Sequence, residues 1–398
     1  MAADIQIERF DVNVSSNGQT YTLSNDVGNV TNAFVRITGS SDSASAGPVS
    51  NTGNAGPNLA GCGVQLTGTD ELTFYLPTNT STRKMIGEVW RYTGSSSDPN
   101  MFDVKERGSI TISNGSSSNN VTLTQIMDRD NFMPIYFGYT TDESSTSDYE
   151  AVVIALHIDA DNRLIASRNN TGAGNNITIY YEVVEFQGSN WSVGHGVSTN
   201  HDANGTFNTG GEIVTMNTDS TGTGGSTFDV SDWETAMILQ GTMEGDGAET
   251  GLSDCLMYFS PGTSTTTVRC TLDNTASRND GAAYFHVIKH ADMIVKRDNN
   301  NNIPEGNNSY GTALSMPTGV NGSTSIDELA LEWFPGTNGE GTAHARGRLH
   351  AKIVDNSGYE IQHWVHRSGN TCKAMYGVAD FSGIEYVSSG RRRLMLVS

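Results

Sequence analysis

The residues with the most evident chemistry are two histidine pairs, His286 and His290 in "HVIKH" and His363 and His366 in "HWVH". On a helix, the spacing of the first pair would suit one metal ion. On a strand, residues four apart share a face but stand roughly 13 Å apart, too far for one ion. The surrounding "AAYFHVIKH" reads as a strand, so His286 and His290 are expected to face outward, and "HWVH" puts its rings on opposite faces. The acidic turns "DADN" (159–162) and "DRDN" (128–131) begin like calcium loops. Arg163 follows the first, and the Gly and distal Glu of an EF-hand are missing. Turn chemistry accounts for both, with adventitious Ca the most they would hold. In "GSNWSVGHG", Trp191 and His195 are candidate glycan contacts, because Trp in a Gly/Ser loop stacks on sugar rings; the competing reading is a core cap. No nucleophile elbow, phosphate loop, zincin helix or dinucleotide fingerprint is found, and the carboxylates of a glycosidase cannot be placed. No catalytic, cofactor-binding or metal-binding residue is assigned, no cofactor is expected, and the reading is of a protein that is not an enzyme.

The composition points to the elements that carry these residues. The chain has 398 residues with 44 glycines, is rich in Ser, Thr and Asn, and has only 17% charged residues. These turn formers suit many short strands, and no window holds a helical apolar period over three turns. Acidic residues outnumber basic ones 44 to 23, a net charge of −21, and that field repels phosphate, which argues against nucleic-acid partners. One basic cluster, Arg391, Arg392 and Arg393, reads as a solvated tail or as a docking arm for an acidic partner. The opening "MAADIQIERF" lacks the regions of a signal peptide, and no apolar run approaches the roughly 18 residues of a membrane span. The expectation is cytoplasmic synthesis without membrane insertion. Cys62, Cys255, Cys270 and Cys372 are too few for a disulfide scaffold. A hairpin turning near Gly262 would set Cys255 opposite Cys270, as reduced thiols or as a cross-strand disulfide.

A repeat organises the chain. "ASRN" occurs at 166–169 and 276–279, each time before an alternating apolar strand. Around it, a strand–polar turn–strand pattern recurs, ending at Arg83, Arg168, Arg278 and Arg367. A strand led by Phe34, Phe132, Trp233 or Leu329 precedes each hairpin, and a small-residue strand marked by Leu23, Ile112, Met216 or Met316 precedes that. Four copies of about 100 residues are the size of a β-sandwich domain. The expected fold is all-β, with four tandem, related sandwiches of jelly-roll or Ig-like type at 1–105, 106–205, 206–305 and 306–398, the last with a basic tail. The recurring arginine is expected to bond loop carbonyls or pair with a neighbouring module. The opening "IQIERFDVNV" resembles a module's last strand, so it completes the first module or pairs with another chain.

The stretch "FMPIYFGYTTDE", "VVIALHIDADN" and "ITIYYEVVEFQGSNWSV" resembles the H-type lectin sandwich, over about residues 110–195. The whole chain is similar in style to virion structural proteins of tailed bacteriophages: tandem β-modules, abundant Gly, Ser, Thr and Asn, and a leaderless start. That resemblance implies a homo-oligomeric virion component of tail, baseplate or head surface, with other virion proteins as partners. The alternative is a carbohydrate-binding adhesin that attaches to host surface glycans.

Overall fold

The computed structural model describes residues 3–41, 61–77, 82–125, 130–142, 154–168, 175–199, 211–217, 225–244, 257–272, 282–303, 309–310, 314–337, 349–354, 360–365 and 372–385. They are all-β. The helical pieces among them are three one-turn 3-10 segments, Val30–Asn32, Trp233–Thr235 and Ile326–Glu328. No helix among them is long and apolar enough to cross a membrane.

One strand order runs through the chain. The first set is β1 (Ile5–Val14), β2 (Gln19–Thr22), β3 (Ala33–Ser41), β4 (Gly63–Leu66), β5 (Glu71–Tyr75) and β6 (Arg83–Tyr92). β6 lies between β1 and β3, and β5 lies between β2 and β4. The second set is β7 (Asp103–Ile112), β8 (Ser118–Thr122), β9 (Phe132–Thr141), β10 (Ala155–Ile158), β11 (Arg163–Ser167) and β12 (Ile177–Glu185). The third is β13 (Trp191–Ser198), β14 (Glu212–Thr215), β15 (Ala236–Met243), β16 (Met257–Pro261), β17 (Thr267–Leu272) and β18 (Ala283–His290). The last is β19 (Ile294–Ile303), β20 (Ser309–Tyr310), β21 (Leu314–Ser315), β22 (Leu329–Thr337), β23 (Leu349–Val354), β24 (Glu360–Val365) and β25 (Cys372–Asp380). Each set pairs its last strand between its first and third, and its fifth between its second and fourth, with β20 and β21 sharing the second place in the last set. We call each set a unit. The two sheets of a unit face one another across a shared apolar core, as β14, β16 and β17 face β15 and β18 around Phe259 and Phe285.

This pairing moves the expected boundaries. Cuts after 205 and 305 would part β13 from β18 and β19 from β25, which pair over their lengths, and the cut after 105 falls inside β7. The run "YEVVEFQGSNWSV" is the end of β12 joined by a tight turn to β13, and so holds two strands of different units. The repeat markers shift with it. Leu23, Leu123 and Met216 are equivalent, each following a second strand and donating its N–H to a carbonyl in or beside the fourth-to-fifth-strand turn, Asp70, Asn162 and Thr266. Ile112 instead ends β7. The opening strand is not free: β1 pairs with β6 in continuous antiparallel register from Ile5↔Tyr92 to Val14↔Arg83.

The last strands are buried on both faces. In β6 every residue but Arg91 is buried, because one face looks into its own unit while the other meets the other units. A central aromatic chain runs Phe381–Trp90–Phe34–Phe102–Phe186–Trp191, with successive ring centroids 5.0, 5.1, 5.1, 5.9 and 5.0 Å apart. It draws on all four units and their connections. Such ring pairs add ~0.5–1.5 kcal/mol each beyond the area they bury. At mid-strand, Phe10 lies over Gly87, where a Cβ would stand 2.5 Å from the ring and 2.4 Å from the Arg36 carbonyl.

Candidate functional site

The chemistry of this protein is concentrated where units meet. The third strand is a sheet edge in the first, third and fourth units, and in the second it is met on its outer side by β4 only at Gly63↔Gly138, so outward N–H groups of all four strands need acceptors. In each unit, one such group is capped by a side chain from the next unit. Val35 N–H donates to Glu182 Oε2 at 2.9 Å, and Tyr136 N–H to Gln240 Oε1 at 2.9 Å. Ile238 N–H donates to Glu332 Oε1 at 2.7 Å, and Leu331 N–H to Glu88 Oε1 at 3.1 Å. The first unit is thus capped by the second, the second by the third, the third by the fourth and the fourth by the first. The cycle is closed.

Among the described residues, arginines complete three of the seams. The 3-10 turn before the third strand leaves carbonyls unpaired, as any one-turn helix does. Arg107 donates to the Val30 and Ala33 carbonyls and, through Nε, to Glu182 Oε1 at 2.6 Å. Arg297 donates to the Trp233 and Ala236 carbonyls and to Glu332 Oε2 at 2.5 Å. Arg9 donates to the Ile326 and Leu329 carbonyls, with Nε 3.8 Å from Glu88. Trp233 and Ala236, Val30 and Ala33, and Ile326 and Leu329 open equivalent turns and strands, so the same clasp is built three times. Arg36 adds a cross-brace, donating to the Leu239 and Leu331 carbonyls beside Glu88. Between the first and fourth units, Asp11 also bridges Lys84 and Lys352, the latter at 2.5 Å.

Burial sets the electrostatics. Desolvation raises the Glu182 carboxyl above its ordinary value, opposed by the charge and hydrogen bond of Arg107 and by the Val35 N–H. Burial lowers the pKa of the Arg9 and Arg36 guanidiniums, with Glu88 the main opposing charge on each. Glu182 and Glu332 accept from a backbone N–H and an arginine, and Glu88 from the Leu331 N–H and the Trp90 indole with Arg9 and Arg36 at 3.8 and 3.6 Å, an arrangement suited to fixing orientation.

The third unit departs from the pattern. Where β1, β7 and β19 carry Arg9, Arg107 and Arg297, β13 carries His195; where β6 and β12 carry Glu88 and Glu182, β18 carries His286. Both rings are fully buried with Nδ1 atoms 2.8 Å apart. His157 of β10 stacks on Tyr284 at 4.2 Å. His290 Nε2 donates to Asn100 Oδ1 at 3.0 Å while its Nδ1 accepts from the Asp292 N–H, and Asn100 also binds Asp4, Asn190 and the Trp191 indole N–H.

Several expectations change here. His286 and His290 do not face outward: both are 0% exposed, because β18, like β6, is covered on both sides. Trp191 and His195 are 3% and 0% exposed, so neither offers a ring face to a sugar; Trp191 is a core cap between Phe186 and His290. In "DADN", Asp159 accepts from the Asp161 and Arg163 N–H groups and the Arg163 guanidinium, and Asn162 takes φ 60°, a turn held by its own side chains. In "DRDN", Asp128 and Arg129 lie outside the described residues. Arg168 bonds the loop carbonyls of Ser113, Ser116 and Asn175 after β11, whereas Arg83 opens β6, so the two are not equivalent. Arg278, Arg367, His366, the second "ASRN" and Arg391 to Arg393 lie outside the described residues, as does the side chain of His363. Cys270 stands opposite Phe259 rather than Cys255, a register four residues away that moves the hairpin centre two residues later than expected; Cys255 lies outside the described residues. Cys62 and Cys270 are buried free thiols, both raised far above their ordinary pKa, mainly by desolvation. The clasp residues Arg9, Arg36, Glu88, Arg107, Glu182, Arg297 and Glu332 were missed. A sequence signal existed in the alternation "IERF" and "KERGS", where a charged residue interrupts the inward rhythm of a strand.

No protein-family model matches the chain, and no curated protein or solved structure matches it.

Proposed function

We propose that this protein is a non-enzymatic structural component, a preassembled four-unit block that takes its place in a larger particle, with a tailed-bacteriophage virion as that particle. The observation that carries the reading is the closed cycle of four side-chain caps, reinforced by arginine clasps at three seams. Its charged groups are committed to the backbone of the neighbouring unit, and their arrangement secures shape. The sequence's resemblance in style to virion proteins supplies the class of particle. Exposed second strands support further assembly: β2, β8 and β14 are largely open sheet edges, to which other copies or virion proteins can add a strand. On this reading other copies would add at these edges rather than at β1, which is already paired with β6. The adhesin reading would now need glycan contacts other than Trp191 and His195.

Particles purified from cells that carry the gene, compared with particles from a deletion strain, test the reading. The proposal expects the protein at fixed stoichiometry in the first and loss of one discrete density in the second. Its absence from particles, together with glycan hydrolysis by the isolated protein, would overturn it.

A further inference from the structure

Two turns of matching sequence and shape stand at equivalent places in the first and second units. Residues 16–19 ("SNGQ") lie between β1 and β2, and residues 113–116 ("SNGS") between β7 and β8. Each closes with a bond from its last N–H to its first carbonyl, Gln19 to Ser16 at 3.3 Å and Ser116 to Ser113 at 3.0 Å. Each sets its glycine at φ +77°, with open space where a Cβ would stand. They differ in what holds the tip. β2 begins at Gln19, so its pairing with β5 extends to Gly18, whose N–H donates to the Phe74 carbonyl at 2.9 Å. Asn17 Oδ1 accepts from the Leu76 N–H at 3.1 Å. β8 begins only at Ser118, and Arg168 holds the second turn by its flanks, the Ser113 and Ser116 carbonyls. Among the described residues, no hydrogen bond holds the Gly115 N–H or the side-chain amide of Asn114; the bond of Asn114 runs from its backbone N–H to Asn176 Oδ1 at 3.0 Å, and both residues are exposed.

We propose that Asn114 is a self-modification site, which converts to aspartate and isoaspartate in the folded chain while its counterpart Asn17 is protected. The reaction needs only hydroxide and water. Hydroxide takes the proton of the Gly115 N–H, and that nitrogen attacks Cγ of Asn114. The Cγ–Nδ2 bond breaks, and Nδ2 leaves as ammonia with a proton from water, which returns the hydroxide. Water then opens the five-membered imide at either carbonyl, giving aspartate or isoaspartate. Glycine favours the attack because no Cβ stands beside the nitrogen. At Asn17 the nitrogen is committed to Phe74 and the amide to Leu76, so both bonds must open first. The Asn-Gly pair at 321–322 has its side chain tied by the Ser323 N–H and Oγ–H, at 3.1 and 2.7 Å, and should also lag; Asn204 and Asn338 lie outside the described residues. Isoaspartate lengthens the main chain by one carbon, which breaks the closure of Ser116 on Ser113 and the carbonyl spacing that Arg168 spans. Either product adds a negative charge beside β8.

Incubation of the full chain at mildly alkaline pH, followed by peptide mapping with mass spectrometry that separates aspartate from isoaspartate, tests this. In the native chain Asn114 should convert about tenfold or more faster than Asn17, because two hydrogen bonds must open before Asn17 reacts. The same incubation in urea supplies the control. Both sites are then unstructured Ser-Asn-Gly segments, and their rates should come within about threefold of each other. A native ratio of about threefold or less, faster loss at Asn17, or an Asn114 that reacts only in urea would overturn the proposal.

Discussion

Arg107→Ala removes one clasp. Three hydrogen bonds go with it, to Val30, Ala33 and Glu182. The Glu182 carboxylate, 0% exposed, keeps only the Val35 N–H as a donor. Breaking a buried pair from one side costs about 3–5 kcal/mol, because the remaining charge has no counter-charge. With an unfolding entropy of ~2.1 cal/mol/K per residue, 398 residues give about 0.8 kcal/mol/K, so a midpoint loss of about 4–6 °C is expected if the chain unfolds as one unit. Differential scanning calorimetry at neutral pH measures it. The sign of the pH dependence is fixed. Glu182 already titrates above its ordinary value, and loss of Arg107 raises it further, so the deficit is fully present above that raised pKa and shrinks as pH falls through it. Glu182→Gln on the Arg107→Ala background should recover part of the loss, since no buried charge is then left alone. A midpoint within about 1 °C of wild type would refute the reasoning that these clasps hold the seams.

Other outcomes follow from the same geometry. Gly87→Ala should cost several degrees in the melting midpoint, since its Cβ would stand 2.4 Å from the Arg36 carbonyl, whereas alanine at the open Gly115, with φ +77°, meets no atom and should cost only backbone strain. Phe34→Ala, at the centre of the aromatic chain, should cost about 3–5 kcal/mol by chemical denaturation. His157 and His290 are held down to about 4, chiefly by burial, so their contribution is complete above the unfolded value near 6.5 and is lost as pH falls from there toward 4, at about 1.4 kcal/mol per pH unit each; urea midpoints against pH measure this slope. Native Cys62 and Cys270 should resist thiol reagents until the chain unfolds, as read by mass-spectrometric mapping.

The all-β class and its recurrence were legible because strands such as "ITIYYEVVEF" alternate or run apolar, and Gly, Asn and Asp mark their ends. Where one unit stops was less so. The turn between β12 and β13 is only a few residues long, and a pattern reader runs through it. The orientation of His286 was misjudged because alternation distinguishes two faces of a strand but does not reveal that a second sheet covers the outer one. The clasps escaped for a related reason. Arg107 has its acceptors at Val30 and Ala33, more than 70 positions away in another copy of the repeat, and no local spacing encodes that meeting. Cys270 shows the limit of register: the hairpin was legible, and its centre was not.

The closed cycle is tested most directly by comparing calorimetric and van't Hoff enthalpies for the intact chain. Four units joined by a closed cycle of caps, three arginine clasps and one aromatic chain should unfold together, with a calorimetric enthalpy of about 280 kcal/mol at ~0.7 kcal/mol per residue over 398 residues and a van't Hoff value close to it. A ratio of calorimetric to van't Hoff enthalpy near four, about 70 kcal/mol per transition, would mean that the units melt independently and would contradict the account.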